Sequence, residues 1–272
     1  MKAIPLGKKT DFKSDYDPSL LFSIPREGAR GENNINLVFK GYDVWNAYEL
    51  SWLDKDGKPE VRTAKIIYSS GSKNIVESKS LKLYLGSFSM SKFENENDVA
   101  ERIKKDLEKV LETPYLKVVL IKHNKYNLRI TKISSKQLLD ALNVKTDTYK
   151  IDKSLLRKEL YNGKIIERYS NLLKTNCPIT NQPDWATIYL KYKAKFKFTD
   201  ESLLKYIISY RNHQDFHEAT CERIFNDIYE MLNPELLTVK CFYTRRGGID
   251  INPLRYYGEE PDMKFDFHYW RQ

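Results

Sequence analysis

The sequence predicts an α+β fold in which antiparallel strands and amphipathic helices occur twice over. Three observations lead there. Both halves of the chain contain period-two apolar runs, and both end in a helix, a proline-containing turn and an apolar strand. The two helices also align directly: "AERIKKDLEKVL" (Ala100 to Leu111) lies over "CERIFNDIYEML" (Cys221 to Leu232), sharing Glu, Arg, Ile, Asp and the final Leu. "KFEN" precedes the first helix and "DFHE" the second, which sets His217–Glu218 against Glu94–Asn95.

In order, "VWNAYELSWL" (Val44 to Leu53) and "EVRTAKIIYSS" (Glu60 to Ser70) read as strands joined through "DKDGKP", whose Asp-Gly is a hairpin signal. "SLKLYLGSF" follows as a further strand. "NDVAERIKKDLEKVLE" is a helix with Val99, Ile103, Leu107 and Val110 on its apolar side, and "YLKVVLIKH" is the next strand. In the second half "ATIYLKYKAKFKF" alternates throughout. Ala186, Ile188, Leu190, Tyr192, Ala194, Phe196 and Phe198 face one way, and Thr187, Tyr189 and four lysines the other. As one strand it spans about 40 Å at roughly 3.3 Å per residue. "TDESLLKYIISYRN" is a helix capped by Thr199 or Asp200, "HEATCERIFNDIYEML" a second, and "LLTVKCFYTRRGG" the closing strand. The expected division is 1–125 for an N-terminal module and 126–272 for a connecting segment plus a C-terminal module. The stretch from about 124 to 170 carries no motif.

The bulk properties exclude little but do exclude something. A chain of 272 residues with 41% hydrophobic and 31% charged residues can bury a full core. No apolar run reaches the ~18 residues of a membrane span, and the opening "MKAIPLGKKTDFKSDYDP" has no secretory apolar core. Three widely spaced cysteines, Cys177, Cys221 and Cys241, do not make a disulfide framework, so a reducing, cytoplasmic setting is expected. A net charge of +9 fits either nucleic acid or an anionic small ligand, although many lysines alternate with acids along helix faces.

The chemistry-bearing stretches are few. In "NCPITNQPDWA", Cys177 and Asp184 stand at the ends of a loop containing Pro178 and Pro183. A thiolate is a nucleophile, and a carboxylate held near it can take the thiol proton and return it elsewhere. A lone cysteine is more often an inert packed residue, and Pro-Asp is ordinary turn chemistry. "RNHQDFHEATC" spaces His213, His217 and Cys221 at i, i+4 and i+8, a possible zinc set. Asn212 and Asp215 interrupt the helical pattern, and Cys221 aligns with Ala100 as a small core residue. His217–Glu218 at a helix N-terminus places an oriented carboxylate where a flat heterocycle with an N–H and an exocyclic amine can bind. "VESKSLK" offers Glu77, Lys79 and Lys82, with a solvated strand start as the plain alternative. "YTRRGGIDINP" joins guanidinium groups to glycines that let backbone approach an anion. No Rossmann or P-loop glycine pattern is present. Halves that each lack part of a polar set point to one composite site.

Taken together, "NCPITNQPDWA", "VESKSLKLYL", "NHQDFHE" and "TRRGGIDINP" resemble the NADPH-dependent 7-cyano-7-deazaguanine reductases of queuosine biosynthesis, in their long two-module form. "LGKKTDF…YDPSLLFSIPR" and "GYDVWNAYELSWL" add support. The resemblance implies tandem tunnelling-fold modules, antiparallel sheets with helices on one face, assembling into a barrel-like homodimer. It implies reduction of a nitrile to a primary amine with NADPH. Cys177 would form a covalent thioimidate, Asp184 would carry protons, and His217 would donate a proton or contact substrate. Val76, Glu77, Ser78, His217 and Glu218 would contact the base, with Glu77 coming from the other module. Ser78, Lys79, Arg246 and Gly247 would hold NADPH, with Arg245 a neighbour. No metal, membrane or direct nucleic-acid contact is implied. The rivals are a zinc-dependent cyclohydrolase-like enzyme of the same fold acting on a pterin or GTP-like ring, and a basic tRNA-binding module.

Overall fold

The computed structural model describes residues 12–122, 129–130, 134–261, 267–269 and 271–272. Residues 6–11 of the opening motif lie outside them. In chain order the elements are β1 (Ser23–Pro25), α1 (Arg26–Glu32), β2 (Lys40–Leu53), β3 (Pro59–Ser69), β4 (Asn74–Val76), α2 (Ser78–Gly86), α3 (Glu96–Leu111), β5 (Leu116–Ile121), β6 (Arg129–Ile130), β7 (Lys158–Leu160), β8 (Ile166–Asn176), β9 (Pro183–Lys193), β10 (Phe196–Phe198), α4 (Asp200–Ser209), α5 (His217–Leu232), β11 (Leu236–Tyr243), β12 (Ile249–Tyr257) and β13 (Phe267–His268). They form two compact units. Among the described residues, the first holds 12–29, 42–122 and 245–251, and the second holds the remainder.

The first unit is built on the β2–β3 hairpin, with β5 paired antiparallel to β3. Its turn closes where the sequence signals: Asp54 N–H donates to Lys58 C=O at 2.9 Å, and Gly57 takes φ +89°, a conformation glycine reaches without a Cβ clash. Trp45, Leu50, Trp52, Ala64, Ile66 and Tyr68 of the strands pack with Leu81, Tyr84 and Leu85 of α2 and Val99, Ile103, Leu107 and Leu111 of α3. Val110 packs half-buried against the same core, and Leu111 beside it is fully buried, widening the apolar stripe of α3. "SLKLYLGSF" is helical, not a strand. Glu77 caps it, and the buried Leu81, Tyr84 and Leu85 recur at helical spacing.

The second unit has the strand order β12–β11–β9–β8, all antiparallel. Ala186, Ile188, Leu190 and Tyr192 of β9 meet Leu203, Leu204 and Ile207 of α4 and Ile224, Phe225 and Ile228 of α5. The predicted single long strand is two. β9 follows β11 as far as Lys193, whereas Phe196–Phe198 leave it to pair with β7 as β10. Alternation fixes which way side chains face; it does not fix which strand is the partner. Thr187 and Tyr189 on the other face are buried too. Tyr169, Phe242 and Tyr269 pack around Tyr189, and Thr187 donates to Asn171 Oδ1 at 2.7 Å. β12 is a strand beyond the expected closing one.

The duplication is visible element by element. α3 and α5 each run 16 residues and end on a left-handed residue, Glu112 at φ +46° and Asn233 at φ +43°. Tyr84 of α2 donates to Asp106 of α3 at 2.7 Å, and Tyr206 of α4 donates to Asp227 of α5 at 2.6 Å. Both long hairpins carry a register shift, Ala47/Leu50 and Ser170/Leu173. The helix register corrects one sequence pairing. His217–Glu218 correspond to Glu96–Asn97, not Glu94–Asn95, because the approaches to the two helices differ in length.

Candidate active site

In the second unit the turn from β8 to β9 carries the thiol. Cys177 N–H donates to Gln182 C=O at 2.9 Å, and Asn181 N–H returns to Cys177 C=O at 3.0 Å. Asn181 sits at φ +54°, a left-handed position that asparagine tolerates better than most residues. The turn is braced from the segment leading into α5. His213 C=O accepts from Asn176 N–H at 2.7 Å, and Gln214 Nε2 donates to Asn181 Oδ1 at 2.8 Å. Lys174 Nζ donates to Asn176 Oδ1 at 2.6 Å, and burial together with the nearby Arg211 pulls its ammonium below the ordinary lysine range. Cys177 itself is half-buried.

The hairpin register sets Asp184 at the same end of the sheet as the turn that carries the thiol. Thr175 lies opposite Asp184 and Asn176 opposite Pro183. Asp184 is only 4% exposed, and its Oδ2 lies 3.3 Å from His217 Nε2. His217 is the first residue of α5. Its ring lies face to face with Tyr243 of β11, centroids 3.8 Å apart and planes 23° off parallel. Glu218 follows in the first turn, where the helix N-terminus favours a carboxylate, and it is 3% exposed.

The histidine–cysteine spacing does not make a metal site. His213 stands before α5 rather than in it, and Cys221 is fully buried, its thiol directed at the Val239 and Pro253 carbonyls at 3.7 and 3.6 Å. Among the described residues no group of three or more His, Cys, Asp or Glu side chains is placed to hold an ion.

In the first unit Val76 ends β4 within the core, and Glu77 turns the chain into α2. Both Glu77 carboxylate oxygens are engaged: one accepts from Lys79 N–H at 2.8 Å and the other from Ser80 N–H at 2.7 Å. The stretch is thus a strand-to-helix junction rather than a solvated strand start. Glu77 is 3% exposed and rigidly aimed, and a carboxylate's four lone-pair sites leave acceptor capacity beyond these two bonds.

The Arg-Arg-Gly-Gly turn belongs to the same unit. Arg246 and Ile249 exchange backbone hydrogen bonds at 2.9 and 3.3 Å around Gly247 (φ +55°) and Gly248 (φ +74°). A Cβ on Gly248 would sit 2.5 Å from the Glu49 carboxyl carbon, so glycine is required there by both space and backbone. A Cβ on Gly247 would sit 3.2 Å from Lys82 Nζ. Lys82, from α2, therefore joins the two basic motifs that lie far apart in sequence. Arg245 stacks over the Tyr48 ring at 3.4 Å. Sequence reasoning did not assign Lys82 or Tyr243 to the site. Lys82 was visible as a basic residue of "VESKSLK", whereas nothing in the sequence marks Tyr243 off from its strand neighbours.

Comparison with known proteins places these features. The family described as "Nitrile reductase, 7-cyano-7-deazaguanine-reductase N-term" matches residues 12–120, and "QueF-like protein" matches residues 183–262. Curated relatives named NADPH-dependent 7-cyano-7-deazaguanine reductase include those of Burkholderia ambifaria, 45% identical over 92% of both chains, and Dechloromonas aromatica, 44% identical over 94% of this chain and 91% of its own. That of Coxiella burnetii is 44% identical over 92% and 90%. A solved structure of an archaeosine synthase QueF-like protein in the apo form overlaps 36% of this chain and 95% of its own at TM-score 0.32 and 18% identity, too slight a likeness to bear on the fold. With near full-length identity of this order, the chain belongs to the family of NADPH-dependent 7-cyano-7-deazaguanine reductases.

Proposed function

We propose that this protein reduces the nitrile of 7-cyano-7-deazaguanine to the aminomethyl group with NADPH. The observation that carries the reading is the end of the β8–β9 hairpin, where the turn that begins at Cys177 adjoins a buried Asp184 that contacts His217. Asp184 takes the Cys177 proton as sulfur attacks the nitrile carbon. One C–N π bond breaks, nitrogen takes up a proton, and the product is a thioimidate carrying the ligand's full mass. His217, in contact with the same carboxylate, gives a proton to the nitrogen as it becomes an amine. Glu218 and Glu77 accept from the ring N–H and exocyclic amine of the base, with Val76, Ser78 and His217 in contact with it.

The residues present fit the cofactor. Lys82 and Arg246 gather beside a turn whose left-handed glycines leave its backbone approachable by a phosphate. The N–H groups of Lys79 and Ser80 are already taken by Glu77, so side chains rather than these helix amides meet the phosphate. Ser78, Lys79, Arg246 and Gly247 hold NADPH, with Arg245 adjacent. When bound, NADPH supplies the reducing equivalents. The protein acts in the cytoplasm as a homodimer without binding nucleic acid. The outer edge of β5, which pairs with no further strand among the described residues, supports self-association, which light scattering would test.

Intact mass after mixing with 7-cyano-7-deazaguanine in the absence of NADPH tests the chemistry. An adduct of the ligand's full mass forms on wild type and is lost in Cys177→Ala. Wild type that stays unmodified removes the nucleophile assignment.

A further inference from the structure

We infer that Tyr243 is a positioning residue for His217, resting on the proposed proton-donating role of that histidine. Tyr243 ends β11 opposite Ala186 of β9, and Ala186 lies two residues beyond Asp184, so Tyr243 and Asp184 point to one side of the sheet. His217 enters from the start of α5 and meets both. Its Nε2 edge is 3.3 Å from Asp184 Oδ2, and its face is 3.8 Å from the Tyr243 ring. A single edge contact leaves an imidazole free to pivot about the Nε2···O line. A ring stacked on its face removes that pivot. The two contacts together fix where both nitrogens point.

The ring, not the hydroxyl, makes the connection. Tyr243 is 1% exposed, and its hydroxyl lies beside the buried Thr175 hydroxyl, which stands opposite Asp184, rather than bonding His217. The imidazole is thus oriented by aromatic surface that a phenylalanine also supplies, and that an aliphatic side chain of similar bulk does not.

The test compares Tyr243→Leu, Tyr243→Phe and His217→Ala with wild type in two assays, thioimidate formation without NADPH by intact mass and turnover with NADPH. Tyr243→Leu is expected to form adduct at close to the wild-type rate while turnover falls about tenfold, and Tyr243→Phe to restore turnover to within about threefold. Tyr243→Leu turning over like wild type while His217→Ala is slow overturns the inference. Parallel loss of both activities in Tyr243→Leu, without rescue by phenylalanine, also overturns it and leaves only a packing role. Full turnover in His217→Ala removes the reading beneath the inference, and the inference with it.

Discussion

Asp184→Asn isolates the proposed proton-accepting step. The substitution keeps the shape of a side chain that is 4% exposed and fixed opposite Thr175, but it removes the group able to take the thiol proton. The amide keeps an oxygen to face His217 Nε2, so a loss of stability on the order of one hydrogen bond, about 1 kcal/mol, is expected. For a chain of this size that lowers Tm by roughly 2–4 °C. The chemical loss is larger. A positioned general base contributes on the order of 10²- to 10⁴-fold, about 3–5 kcal/mol of barrier at 1.36 kcal/mol per decade. Adduct formation, followed by quenched mass spectrometry without NADPH, is therefore expected to slow at least about 100-fold near neutral pH in a protein that remains folded. Raising the pH produces thiolate without help from the carboxylate, so the gap to wild type should close in alkaline buffer. Adduct formation within about threefold of wild type at neutral pH, with Tm unchanged, would refute the assignment of Asp184 as base.

Glu77→Gln keeps one oxygen for the α2 cap but removes the charge. It should cost about 1 kcal/mol in unfolding and roughly ten- to a hundredfold in calorimetric affinity for 7-cyano-7-deazaguanine; unchanged affinity would leave Glu77 as a cap alone. Gly248→Ala forces a Cβ onto the Glu49 carboxylate at a left-handed position, so a loss of about 1–3 kcal/mol by denaturant titration is expected, and wild-type stability would show that the turn can shift. Glu222→Gln leaves the buried guanidinium of Arg255, and Arg30 beside it, without the carboxylate that both bond, and should destabilise by about 3–5 kcal/mol. Burial raises the Asp227 carboxyl above its ordinary range. The unfolded chain then releases this proton first, so its contribution to stability declines as pH rises from about 4 toward the folded value. Relative to wild type, Asp227→Asn should gain stability over that interval, and a pH-independent Tm difference would contradict the burial argument.

Much of this molecule is legible because local chemistry and tertiary packing agree. Val99, Ile103 and Leu107 recur at helical spacing and are buried where that spacing puts them, and Asp54 and Gly57 close the turn that Asp-Gly signals. The stretch after Glu77 misleads, since Leu81, Leu83 and Leu85 also alternate as in a strand. The deciding interaction is a carboxylate turned back onto Lys79 and Ser80 N–H, and spacing alone does not reveal it. Phe196 and Phe198 continue the period of β9 yet pair with β7, because alternation carries no record of partner.

The sequence by itself determined the family, the duplication, and the residues with the chemistry to act: a thiol, a carboxylate and a histidine with a glutamate behind it. These are properties of residue type and local order. Tertiary structure alone decided that Asp184 and His217 touch, that Tyr243 lies against the imidazole, and that Lys82 reaches the glycine turn. Those pairs are separated by 33, 26 and 165 residues. Contacts at such separations are set by strand register and helix placement, which are products of packing the whole core and leave no periodic trace in the chain.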